Sequence, residues 1–291
     1  MILNMASSIW RCSRAMLVVA ALSAVACKDS TAPRVPTDPI VFNSNASGVW
    51  DIYLIGSDGT GVRNLTTSPE DDLYPSWSPD HRFIAYVSAR APSGLWVMNA
   101  DGSGKRSVLT GWDIEHTAWS PDGKRILFVG SKGSGWEFHS VSPDGTGLQW
   151  LSYEPNGGFS PDGKRVTYAA GLDIWVMDTT TKVATNLTHS PDADDVDPQF
   201  SPNGSQIVYA GNATGPTGIW LMNADGSGQH PLTVALGHYD RDPRWSPDGA
   251  SIVFQRTDET GALPVTNIYI MNADGSNLHP LTSMIASQPA W

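Results

Sequence analysis

The chain has 291 residues, with 28 Gly, 21 Pro and only 16% charged residues, a balance that favours many turns over long helices and points to an all-β protein. Its formal net charge of −11 argues against a nucleic-acid partner, because phosphate neutralisation needs a basic excess that is missing here.

The first segment reads as an address. "MILNMASSIWRCSRAM" carries Arg11 and Arg14 and no acid, "LVVAALSAVA" is an apolar run too short to span a bilayer, and Cys27 follows. Residues 1–26 are therefore expected to be an export signal peptide. Ala24-Val25-Ala26 satisfies an ordinary signal peptidase, whereas "LSAVAC" resembles a bacterial lipobox that would make Cys27 the lipidated first residue. Cysteine usage favours the lipobox. Of two cysteines, Cys12 is lost with the signal, so Cys27 would otherwise be a lone thiol in an oxidising compartment. Residues 27–39, the lipidated Cys and "KDSTAPRVPTDP", are polar and Pro-rich and read as a flexible tether. The expectation is a lipid-anchored protein of the bacterial cell envelope, periplasm or outer membrane, with a freely secreted protein as the alternative.

From residue 40 to 291 the chain is periodic. An aromatic residue followed by Ser-Pro recurs at Trp77, Trp119, Phe159, Phe200 and Trp245, and Trp291 stands one step further on, at intervals of 40 to 46 residues. That period belongs to propeller blades. Helical repeats share it, but these units alternate apolar and polar residues and are cut by Gly and Pro every few residues. Each unit has an aromatic strand, a "SPDG" turn, a β-branched run such as "FIAYVSA", a second run such as "LWVMNADGSG", and a short strand ending in "LT". In "SPDG", Pro presets φ, Asp bonds the turn backbone and Gly accepts positive φ. A further "SPDG" at Ser142 falls where other units carry "NADG", so register assigns it to the second kind of turn.

The two ends of the periodic region are complementary. "IVFNSNASGVWDIYLIGSDGTGVRNLT" matches the second to fourth strands of a unit, and "QPAW" matches a first strand. Pairing them closes a ring and removes an open sheet edge. The predicted fold is a six-bladed β-propeller of four-stranded blades, closed by its N- and C-terminal strands.

The motifs "PSWSPD", "TAWSPDG" and "PRWSPDG" followed by "WVMNADGSG" resemble the TolB-type, WD-like propeller repeats of bacterial envelope proteins and of some oligopeptidases. The resemblance covers residues 40–291. It implies a binding role in the envelope, with docking to a peptidoglycan-associated lipoprotein as the family's example. The chain departs from that pattern, since neither a preceding α/β domain nor a following hydrolase domain is read in it.

No G-x-S-x-G, H-E-x-x-H or C-x-x-C occurs, and no catalytic residue is assigned. "DADDVD" from Asp192 fails as a calcium loop, because its sixth position is Asp197 and its twelfth Asn203. His230 and His279 occupy equivalent places before "PLT" and read as exposed. The suggestive constellation is one of register. Five positions before the marker aromatic stand Asp72, Ile114, Glu154, Asp195, Asp240 and Ala286; three before it stand Tyr74, His116, Asn156, Asp197, Asp242 and Gln288. First strands line a propeller's channel, so Asp72, Tyr74, His116, Glu154, Asp195, Asp197, Asp240 and Asp242 are expected to meet at one mouth. Two readings stand: a site for a cation or a basic segment of an envelope protein, or a solvated ring of turn-capping acids. No cofactor is expected beyond a divalent cation such as calcium, and a monomer is expected. The marker aromatics, with Trp96, Trp175 and Trp220, read as packing between blades. The expected function is a non-catalytic scaffold; the alternative is a periplasmic hydrolase or lyase using a divalent metal at the channel mouth.

Overall fold

The computed structural model describes residues 38–291 except 134, 153–156, 191–192, 214 and 235–236, and every regular element among them is a strand. The predicted signal peptide, Cys27 and all but the end of the tether lie outside the described residues. In chain order the strands are β1 Pro39–Ser44, β2 Asp51–Gly56, β3 Arg63–Asn64, β4 Asp72–Trp77, β5 Phe83–Ser88, β6 Gly94–Asn99, β7 Arg106–Thr110 and β8 Asp113–Trp119. There follow β9 Ile126–Ser131, β10 Glu137–Val141, β11 Gln149–Ser152, β12 Gly157–Phe159, β13 Arg165–Ala170, β14 Asp173–Asp178, β15 Ala184–Asn186 and β16 Val196–Phe200. The last are β17 Gln206–Gly211, β18 Gly218–Asn223, β19 His230–Pro231, β20 His238–Trp245, β21 Ser251–Asp258, β22 Val265–Asn272, β23 His279–Pro280 and β24 Ala286–Ala290.

These strands form six antiparallel four-stranded sheets, which we call blades I to VI. Blades II to VI are consecutive meanders beginning with β4, β8, β12, β16 and β20. Blade I has the order β24-β1-β2-β3, so the last strand supplies its inner position, pairing Ala290 with Val41 and Ala286 with Ser44. The ring closes as the complementary ends predict.

The middle strands are apolar on both faces, and alternation sends the two faces to different neighbours. In β5, Ile84 and Tyr86 pack with Val41, Ile52 and Leu54 of blade I, while Ala85 between them packs with Ile126 and Phe128 of blade III. One buried apolar cluster thus fills each of the six seams between blades.

The turns also join blades. In "SPDG", the Ser78 hydroxyl donates to Asp80 Oδ1 at 2.6 Å and accepts from Phe83 N at 2.9 Å, and the pattern repeats at Ser120, Ser160 and Ser246, and at Ser201 with Asn203. The second-turn glycines sit against the preceding blade. A Cβ on Gly102 would lie 2.9 Å from the Leu65 carbonyl oxygen, on Gly226 2.9 Å from that of Leu187, and on Gly275 3.0 Å from that of Leu232. Gly145 of the "SPDG" at Ser142 makes the same approach, to Val108 at 2.6 Å, and Ser142 N bonds Thr146 O as Asn99 N bonds Ser103 O. Register therefore classified that turn correctly.

Deleting residues 286–291 removes β24, uncovers the β1 edge and strips the VI–I seam of Ala286 and Trp291. The expected loss is on the order of 3 to 5 kcal/mol or more, with aggregation through the free edge. Calorimetry of the truncated chain checks this; an unchanged melting transition would mean that closure contributes no stability.

Candidate functional site

The inner strands β4, β8, β16, β20 and β24 share an irregularity. Pairing slips between Leu73 and Ser76, Glu115 and Thr117, Val196 and Gln199, and Arg241 and Arg244, and opposite β24 between Val41 and Asn43. At each slip the residue three before the marker aromatic has positive φ: Tyr74 54°, His116 52°, Asp197 55°, Asp242 52° and Gln288 53°. This left-handed backbone costs a non-glycine residue about 1 to 2 kcal/mol. Its recurrence makes it a β-bulge built into the blade. Pro75, Pro198, Pro243 and Pro289 follow four of the five, and Pro, lacking an N–H, is accommodated in a sheet at a bulge.

The bulge decides where side chains go. In an unbroken strand, residues two apart face the same way, and the offsets of five and three would share a side. With one extra residue between them they part company. Tyr74, His116, Asp242 and Gln288 line a central cavity of about 190 Å³ to which all six inner strands contribute, and Asp197 lines an adjoining cavity of about 90 Å³.

The geometry there is specific. The Tyr74 and His116 rings lie 5.1 Å apart, tilted by 50°. Asp242 N donates to Asp197 Oδ2 at 3.4 Å, and Arg244 Nη2 stands 3.9 Å from Asp242 Oδ1. Tyr74 N donates to Gln288 Oε1 at 3.2 Å, and Trp245 N to Gln199 Oε1 at 2.7 Å. Burial, reinforced by the Asp197 charge, pushes the Asp242 carboxyl up to about 7. Burial holds the His116 imidazole below its usual value against the opposing pull of Asp197. The Tyr74 hydroxyl is raised by burial and then by the Glu115 charge.

The expectation that Asp72, Asp195 and Asp240 share this mouth is corrected. They are 2%, 2% and 0% exposed, line neither cavity, and sit in the seams. Asp240 accepts two bonds from Arg256, at 2.6 and 2.7 Å, and one from Thr233 of the preceding blade at 2.6 Å. Thr233 also accepts from Ile219 N at 2.9 Å, so one "LT" threonine ties its own blade to the next. Asp72 engages Ser88 and Thr66, with Oδ1 unpartnered, and Asp195 engages Thr188 and Ser190. Burial raises both carboxyls, that of Asp195 to about 6. The like charges that act on them are Asp51 for Asp72, and Asp173 and Asp194 for Asp195, rather than each other. Ile114 and Ala286 at the same offset are buried in seam clusters, which confirms the position as a packing one. Glu154 and Asn156 lie outside the described residues.

Register reasoning missed Gln199 and Arg244, one residue before the marker aromatics. The channel face resumes there after the bulge, and the Pro at fixed offset was the available signal. Among the described residues no three His, Cys, Asp or Glu side chains come together in a metal-holding group. Trp77, Phe200, Trp220 and Trp245 are buried in seam clusters. His230 and His279 are exposed.

These features define a class: a closed six-bladed β-propeller whose channel is lined from bulged inner strands, with an acid pair at the channel and the cavity beside it. The chain belongs to the family described as the TolB beta propeller domain, whose model matches residues 19–170 and 154–291. It is similar to "Uncharacterized peptidase YuxL" of Bacillus subtilis, 31% identical over 179 residues, which are 59% of this chain. It is also similar to "Uncharacterized protein Atu1656" of Agrobacterium fabrum, 30% identical over 186 residues and again 59% of this chain. The matches span 26% and 61% of the length of these two curated relatives. The crystal structure of TolB from Acinetobacter baumannii superposes with a TM-score of 0.74 at 20% identity, over 87% of this chain and 66% of that one, and shows the shared fold.

Two acids at one offset should behave oppositely. Asp240→Ala strands the mostly buried Arg256 and should lower stability by about 3 to 5 kcal/mol, whereas Asp72→Asn removes a carboxyl that burial already disfavours and should change stability by less than about 1 kcal/mol. Urea unfolding of both variants tests the contrast, and equal losses would refute it. Asp242 gives a pH signature. Its folded pKa is raised above the unfolded value, so its stabilising contribution is full below about pH 4 and disappears as pH climbs through about 7. Asp242→Asn should flatten the fall in stability between pH 4 and 7.5 by more than about 1 kcal/mol, the worth of one pKa unit. Parallel urea curves for both proteins at each pH would contradict it.

Proposed function

We propose that this protein is a non-catalytic binding scaffold of the bacterial envelope, held to a membrane by lipid on Cys27, whose channel takes a basic segment of a partner protein. The observation that carries the reading is the Asp197–Asp242 pair, brought together by two bulges where the central cavity meets the one beside it, with Arg244 3.9 Å from Asp242. A bound cation would add to the counter-charge of Arg244 and Arg241, and the low-dielectric walls would strengthen that contact. Tyr74 and His116 offer an aromatic wall on the opposite arc of the ring. Membership of the TolB propeller family supports a binding role. The envelope location is supported by the export signal and lipobox read in residues 1–27.

A capped tetrapeptide carrying two lysines is a suitable probe. Its affinity should rise between pH 5.5 and 8 as Asp242 ionises, with protons released on binding, and should fall at least tenfold in Asp197→Asn/Asp242→Asn. Calorimetric titration in two buffers measures both effects; pH-independent binding that survives the double substitution would dismiss the acid pair as the site. For the anchor, wild type should partition with membranes, and Cys27→Ser should be released or remain unprocessed. Equal solubility of the two would remove the lipid from the proposal.

A further inference from the structure

The seam between blades III and IV differs from the other five in ways that converge on one place. Among the described residues its buried apolar cluster has four members, Leu127, Val129 and Phe138 from blade III and Val166 from blade IV, where the other seams have eight or nine. Blade IV also replaces the second-turn glycine with "DTTTK", so the close approach made by Gly102, Gly145, Gly226 and Gly275 to the preceding blade has no counterpart here. On its inner strand β12, Gly158 stands where the other inner strands carry Ser76, Ala118, Gln199, Arg244 and Ala290. A Cβ on Gly158 would meet nothing within 4 Å.

The space so left is the cavity of about 90 Å³ beside the channel. Ala118, Leu127, Val129 and Phe138 form its apolar wall, His116, Asp197 and Arg244 its polar side, and it shares His116, Gly158 and Arg244 with the larger channel cavity. Water is poorly held against an apolar wall, and the volume suits one branched aliphatic side chain while falling short of the roughly 150 Å³ that admits a benzene ring. Because Asp197 lines the slot itself, a ligand filling it must carry its positive charge a few ångströms from its aliphatic group. A lysine places the charge at the far end of its stem. An amino-terminal residue places it two bonds from Cβ.

We infer that the III–IV slot receives the first residue of a partner chain with a free amino terminus, its α-ammonium on Asp197 and Asp242 and a Leu, Ile or Val side chain against Leu127, Val129 and Phe138. This deepens the channel proposal and rests on it. The amidated dipeptides Leu-Gly, Ala-Gly and Phe-Gly and N-acetyl-Leu-Gly, titrated into the full protein at pH 7.5 beside the dilysine probe, provide the test. Leu-Gly amide should bind at least tenfold tighter than each of the other three. Gly158→Val, which fills the slot from an unstrained backbone position, should abolish the Leu preference. Equal binding of Leu-Gly and Ala-Gly, or indifference to acetylation, would overturn the slot while dilysine binding kept the channel reading alive. Loss of binding by every cation would overturn both. Should Gly158→Val not fold, the wild-type dipeptide series decides alone.

Discussion

Each blade has a middle pair of strands that is apolar on both faces, and no single four-stranded sheet can keep both faces from water. Leaning one blade on the next solves the problem for one face and passes it on through the other. Only a ring ends the sequence, and β24 ends it here by joining β1. Side chains on alternate positions of one strand therefore belong to different seams: Ile84 and Tyr86 stabilise the I–II junction while Ala85, between them, stabilises II–III. The repeated turns follow from the same constraint. The Gly of "SPDG" takes positive φ and also packs near the Pro of the preceding blade's turn, Gly123 on Pro79 and Gly249 on Pro202, so the motif spaces the blades as well as reversing the chain.

The second constraint is the bulge in the inner strand, which separates two jobs that a regular strand would merge. Residues before it enter a seam, and residues at and after it enter the channel. Asp240 and Asp242 illustrate the consequence. The first is locked to Arg256 and Thr233 and holds blade VI to blade V. The second, two residues on, reaches the channel, where burial and Asp197 keep its carboxyl poised near neutrality. A structural acid and a responsive one thus differ by a single extra residue in the backbone between them.

The blade count, the strand order, both turn classes and the ring closure were all legible in the sequence, because each rests on local chemistry repeated several times over: Pro and Gly at fixed corners, β-branched runs between them, and complementary ends. The site was legible only by half. Tyr74, His116, Asp197 and Asp242 were assigned to the channel by register; Tyr74, His116 and Asp242 line it, and Asp197 lines the cavity beside it. Asp72, Asp195 and Asp240 were assigned by the same rule and went to the seams, because period-two alternation was carried across a bulge that breaks it. The Pro after four of the bulged residues marked the break. A proline inside a strand that pairs on one side with a neighbour is hard to place otherwise.

The antiparallel order also sorts the molecule into two unequal faces. The two kinds of repeated turn lie on one of them, where the described chain begins: Asp38 shares a cavity with Ser57, Pro247, Asp248 and Asn277. That face is tightly bound by contacts such as Gly102 on Leu65 and Gly226 on Leu187, which leave no room for a longer turn or a larger residue. The opposite face carries the connections between second and third strands and those between blades, joined across seams by single backbone bonds such as Asp72 N to Trp50 O at 2.7 Å and Asp240 N to Thr217 O at 2.9 Å. Blade VI extends β21 and β22 to eight residues, and Leu172, Tyr239, Leu263 and Val265 stand exposed on these connections or beside them. The inner strands begin at this same face, so the bulged residues Tyr74, His116, Asp197 and Asp242 lie nearest to it. The loops of this face therefore surround the end of the channel nearest the acid pair. A repeat architecture of this kind can vary these loops without disturbing the packing that closes its ring.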